Sequence, residues 1–107
     1  MLFGKILDAA TYVFTELAKE GYLRDLSRED FVKRLAHHYD QLNYIHPFRE
    51  GNGRVQRIFW SRVAQAASHE VDWSAVIGDE NDEASRLAAE KMDLSALEQM
   101  FERIVIS

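Results

Sequence analysis

"FVKRLAHHYDQLNYIHPFREGNGRVQR", residues 31–57, decides how the chain is read. Its first half keeps helical spacing: Phe31, Leu35, Tyr39, Leu42 and Ile45 fall on one face. Pro47 then disfavours helical geometry at His46, so the helix must stop there. Residues 48–53 carry two glycines and read as a loop, and a further helix begins near Arg54. One stretch therefore gives helix, turn, helix. The turn concentrates a histidine, a carboxylate, an amide and two arginines.

Working outward, the same pattern recurs. Between Gly4 and Gly21 the residues Leu7, Ala10, Phe14 and Leu17 keep helical spacing, with Lys19 in the last turn and Gly21 placed to end the helix. Ser27 is positioned to cap the next helix, and Asp30 three residues on makes a variant of the capping box. After the turn, Val55, Phe59, Val63 and Ala66 form the expected apolar stripe of the third helix. "EVDWS" is a short connection with Trp73 expected inside. Residues 79–91 read as a helix, acidic first and basic last. Ser95-Ala-Leu-Glu98 reads as a capping box for a last helix that buries Leu97, Met100, Phe101 and Ile104. A single proline and five scattered glycines leave little material for hairpins. The expected architecture is all-α: one domain over residues 1–107, a small bundle of about five helices.

Totals narrow the function. The 107 residues suit one modest core, and 47% apolar content is enough to fold it. A net charge of −5 argues against a nucleic-acid binder driven by bulk electrostatics. No apolar run approaches membrane-spanning length, and no membrane partner is expected. Without cysteine there is neither a disulfide nor a thiolate metal site. A cytosolic protein is expected, or one delivered into a host cytosol.

The turn repays closer reading. Arg54 and Arg57 share a face at the positive end of a helix, where exposed cations cost roughly 0.3–1 kcal/mol each. Folding alone would place acids there, so the pattern makes sense if an anion arrives. Gly51 and Gly53 let the backbone bend and present N–H groups to it, and Asn52 adds an amide donor. Glu50 would repel a phosphate unless Mg²⁺ lies between them, since Mg²⁺ takes one or two carboxylates plus phosphate oxygens. His46 can serve as a base near neutral pH. A base facing a metal-bound polyphosphate implies attack by a hydroxyl on phosphorus. Each residue also has a plainer use. His46 can cap a helix, Glu50 and Arg54 can form a surface ion pair of little worth, and the glycines can make an ordinary turn. Taken together, in this order, the plain uses are the weaker account. A zinc site from His37, His38, His69 and His46 has no supporting ligand spacing. Trp60, Tyr39 and Tyr44 read as core or groove wall in preference to a base-stacking platform.

The stretch resembles the signature of the Fic family (filamentation induced by cAMP), His-x-Phe-x-Asp/Glu-Gly-Asn-Gly-Arg-x-x-Arg. His46, Phe48, Glu50, Gly51, Asn52, Gly53, Arg54 and Arg57 fill every fixed position. The flanks "FTELAKEGYL" and "VDWS" are similar to the surrounding core. The resemblance implies transfer of AMP from ATP to a Tyr, Thr or Ser hydroxyl of a target protein. It implies His46 as the base, Glu50 holding Mg²⁺ and Gly51, Asn52 and Gly53 as the anion hole. It further implies Arg54 on the outer phosphates and Arg57 at the γ-phosphate end. Some relatives transfer other phosphate-containing groups. The family usually carries a β-hairpin flap before the first helix, and "MLFG" leaves it missing or trimmed, so an idle core that binds ATP or a partner protein is the alternative. Glu20, Glu50 and Glu80 precede Gly or Asn, but none completes the family's inhibitory Ser/Thr-x-x-x-Glu-Gly/Asn motif. A small antitoxin-like partner is the expected restraint.

Overall fold

A computed structural model describes the backbone of residues 2–45 and 53–106, with side chains described for residues 11–42 and 56–106. Five α-helices follow in order: α1 (Leu2–Lys19), α2 (Arg28–Ile45), α3 (Gly53–Ala66), α4 (Glu80–Lys91) and α5 (Ser95–Ile104). Short 3₁₀ turns at Gly21–Leu23 and Trp73–Ala75 punctuate the connections. Among the described residues there is no strand ladder, only a single antiparallel bridge between Val71 and Val105. The fold is the all-α bundle that the periodicity demands.

Helix α2 is the axis, lying against α1, α4 and α5. Phe31, Leu35, Tyr39 and Leu42 are all buried along it, as their spacing requires. Ser27 caps it: the Asp30 N–H donates to Ser27 Oγ at 3.1 Å. Leu97, Met100, Phe101 and Ile104 close the core from α5. Arg28 ties the start of α2 to the end of α5 through the Glu102 carboxylate at 2.6 Å and through the Glu102 and Val105 carbonyls. Arg103 joins α5 to Glu80 at the start of α4, and Glu80 also accepts from the Ile77 N–H at 3.1 Å.

The exit from α1 is sharper than a simple glycine stop. Gly21, Tyr22 and Leu23 all have positive φ, at 63°, 56° and 63°. The left-handed conformation costs about 1–2 kcal/mol for each non-glycine residue. Full burial of Leu23 offsets that, because a buried leucine recovers about 1.5–3 kcal/mol.

Three sequence expectations need correction. Phe14 does not point into the core; it is half-exposed and meets Phe59 edge-on at 5.4 Å, while Val13 and Leu17 are buried. In α3 the buried row is Gln56, Trp60, Ala64 and, just beyond the helix, Ala67. Phe59 and Val63 are only partly covered and Ala66 is exposed, so the stripe is turned by one residue from the one expected. The Trp60 row carries the helix's largest apolar side chain, which packs against Tyr39 in the core, so that row and not the Phe59 row turns inward. At α5 the cap is not Ser95. Asp93 accepts both the Ser95 N–H (2.9 Å) and the Ser95 hydroxyl (2.6 Å), which places Ser95 inside the helix.

Candidate functional site

Helix α2 carries the chain up to His46, and α3 resumes at Gly53. The expectations at His46, Phe48, Glu50, Gly51 and Asn52 lie outside the described residues. Gly53 and Arg54 form the first two positions of α3 and Arg57 stands one turn further in. The leading N–H groups of a helix have no partner four residues back, and the dipole makes that end positive. No acid occupies this first turn, unlike α2, which opens on Glu29 and Asp30, and α4, which opens on Glu80, Asp82 and Glu83. The end of α3 is thus left without internal neutralisation by its own sequence.

Arg57 is exposed, and its guanidinium carbon lies 5.6 Å from the centroid of the Trp73 ring. Elsewhere arginines meet carboxylates: Arg28 with Glu102, Arg34 with Glu20, Arg86 with Glu83 and Glu90, and Arg103 with Glu80. Arg57 and Arg62 have no such partner among the described residues. Both line a groove of about 410 Å³ with Ile58, Ser61, Gln65 and Trp73. In a chain of net charge −5, two guanidinium groups with no carboxylate partner among the described residues line one groove and make it locally positive.

What holds α3 in place is aromatic. Trp60 is fully buried between Tyr39 (6.0 Å) and Phe59 (4.8 Å), and its indole N–H meets no acceptor among the described residues. Tyr39 donates its hydroxyl to Asn81 Oδ1 at 2.9 Å, linking α2 to α4 beneath α3. Trp73, expected inside, is only partly buried: it packs against the core and donates Nε1–H to Ser61 Oγ at 2.8 Å. Sequence reading missed this pair. The clue was available: Ser61 stands four residues after Arg57, on the same face.

Glu20 is engaged by the bundle itself. Arg34 grips it through both nitrogens, at 2.8 and 2.5 Å, and the buried His38 Nε2 lies 3.0 Å from its Oε2. The Arg34 bonds hold the carboxyl down from 4.5 to about 2. Burial pushes His38 below its ordinary 6.5. A neutral imidazole supports Glu20 as a hydrogen-bond donor, so Arg34 supplies the charge. Among the described residues no group of three His, Asp or Glu is placed to hold a metal. No described helix is long and apolar enough to cross a membrane.

Fold and site together define a small helical domain in which a helix without acids in its first turn carries Arg57 beside a groove. The profile of the Fic/DOC family matches residues 5–64, and the chain belongs to that family. It is 36% identical over 103 residues to a protein of Escherichia coli strain K12 named "Probable protein adenylyltransferase Fic", covering 96% of this chain and 51% of that protein. Among solved structures, the N-terminal Fic domain of a Bartonella quintana Bep effector with bound ADP superposes with a TM-score of 0.86 at 31% identity, over 94% of this chain and 47% of that one. The BepC effector protein of Bartonella tribocorum with bound AMPPNP gives 0.84 at 30% identity, over 94% and 48%. The chain spans about half the length of the curated relatives it matches.

Proposed function

We propose that this chain is the catalytic core of a protein adenylyltransferase, which moves AMP from ATP to a Tyr, Thr or Ser hydroxyl of a target protein. The observation that carries the reading is the start of α3: a helix first turn without acids, holding Gly53 and Arg54, with Arg57 one turn on set over the Trp73 ring and without a carboxylate partner among the described residues. Relatives named as adenylyltransferases and the ADP and AMPPNP found in similar structures support a nucleotide there.

In this reading His46 takes the proton of the target hydroxyl while its oxygen attacks the α-phosphorus. The bond from that phosphorus to the bridging oxygen breaks, and pyrophosphate leaves. Gly51, Asn52 and Gly53 receive the phosphate oxygens, and Arg54 and Arg57 hold the outer phosphates, since donors aimed at developing charge are the largest aid to such a step. Glu50 would hold Mg²⁺, and its chemistry there is to neutralise phosphate charge. Such a protein acts in a cytosol, its own or a host's, and is restrained by a small antitoxin-like partner.

ATP labelled at the α-phosphate, added with lysate, tests the reading. Label on protein is expected and should vanish with His46→Ala while calorimetric binding of Mg-ATP survives. Label that persists in His46→Ala removes His46 from its role. Binding without any label would favour the idle core.

A further inference from the structure

The proposed chemistry gives no work to Trp73, yet the fold invests in its orientation. The indole edge is fixed by Nε1–H donation to Ser61 Oγ at 2.8 Å. Its ring meets Phe101 edge-on at 5.9 Å and 81°, and Tyr39 at 6.2 Å and 31°. The backbone beneath is held as well: Asp72 N–H donates to the Ile104 carbonyl at 2.8 Å and Asp72 Oδ1 accepts from the Ser74 N–H at 3.1 Å. The ring also carries the Arg57 guanidinium, 5.6 Å from its centroid.

An aromatic face suits an arginine that must bind a phosphate. A carboxylate would order the side chain but would compete with the ligand for its charge and its N–H fork. A ring face attracts the cation electrostatically and leaves that fork free. Arg57 is ordered by a ring where Arg28, Arg34, Arg86 and Arg103 are ordered by acids.

We propose that Trp73, locked by Ser61, is a positioning residue that holds the Arg57 guanidinium at the groove mouth with its N–H edge presented to the terminal phosphates of the nucleotide. This rests on the nucleotide reading above. Its particular content is selectivity: Trp73 acts on the outer phosphates and not on the nucleoside monophosphate.

Calorimetry with Mg-ATP and with AMP on wild type, W73L, W73F, R57A and W73L/R57A tests it. Loss of the ring face should weaken Mg-ATP binding by roughly two- to fivefold and leave AMP unchanged. W73F, which keeps a face, should stay within about twofold of wild type. The double variant should bind no more weakly than R57A. In nucleotide-free protein the Arg57 Nε–Hε resonance should move in W73L and much less in W73F. Wild-type ATP affinity in W73L, equal losses for ATP and AMP, additive losses in the double variant, or an unmoved Nε–Hε resonance would each overturn the proposal. Failure of the wild type itself to bind Mg-ATP overturns the nucleotide reading together with this one, and is told apart because it precedes any substitution.

Discussion

Replacing Glu20 with glutamine isolates one charge in the wall of the bundle. The carboxylate is 29% exposed and is held by Arg34 through two bonds and by the buried His38 through one. Its acidity moves from 4.5 to about 2. At about 1.36 kcal/mol per tenfold change, that is roughly 3.4 kcal/mol before screening. Arg34 is 42% exposed, so solvent screening reduces the figure to about 1.5–2 kcal/mol. Because the folded value lies below the unfolded one, the stabilisation is whole above about pH 4.5 and is lost as pH falls towards 2. Glu20→Gln keeps one oxygen for the Arg34 Nη2 and His38 bonds at the Oε2 position and loses the charge together with the Arg34 Nε–H bond to Oε1; the lost bond is independent of pH, the charge is not. Urea unfolding should therefore show the charge contributing about 1.5–2 kcal/mol at pH 7, about 10 °C in Tm, with about a fifth or less of that contribution left at pH 3. Burial lowers His38 and the Glu20 charge raises it, so the loss of His38 stability below pH 6.5 is steeper in Glu20→Gln, and the Glu20 contribution is read by comparing the two proteins in a His38→Gln background. A gap that stays constant from pH 7 to pH 3 would refute the reasoning, since it would mean the carboxylate titrates alike folded and unfolded.

Three further outcomes are expected. Ser27→Ala removes the acceptor of the Asp30 N–H and should cost about 1 kcal/mol in urea unfolding without affecting nucleotide affinity. Met92 ends α4 at φ 52° and is 91% exposed, so Met92→Gly relieves left-handed strain and should raise stability by about 0.5–1 kcal/mol after the entropy of the freer unfolded chain is subtracted. Arg54→Ala removes a cation from the positive end of α3; it should weaken Mg-ATP binding in calorimetry while stabilising the fold by about 0.3–1 kcal/mol in thermal unfolding, and a variant that lost both would contradict the anion reading.

The helices were legible because period and caps are local. Phe31, Leu35, Tyr39 and Leu42 announce α2, and the break at Pro47 followed by glycines announces that another helix follows. The rotation of α3 about its axis was not. Val55, Phe59, Val63 and Ala66 and the row one position later, Gln56, Trp60, Ala64 and Ala67, both keep helical spacing, and a glutamine in the second row hid it. Only the neighbours decide: Tyr39 waits under Trp60, while Phe59 covers Phe14. Ser95 against Asp93 is a contest between two good caps two residues apart, settled by where the helix begins. The Glu20–Arg34–His38 cluster joins residues up to eighteen apart, which no window on α1 or α2 alone reveals. Of the candidate site, Gly53, Arg54 and Arg57 stand at the helix start their spacing required. The Trp73 ring under Arg57 needed the fold, since sixteen residues and a turn separate them.

The bridge between Val71 and Val105 has a bearing on biosynthesis. Asp72 and Glu70 are paired with Ile104 and Ile106, and Trp73 follows directly. The ring that meets Arg57 is therefore set in place by segments more than thirty positions downstream. On a translating ribosome, α1 to α3 can emerge and coil while this platform still lacks its far wall. The platform would then form late and all at once, when α5 has emerged.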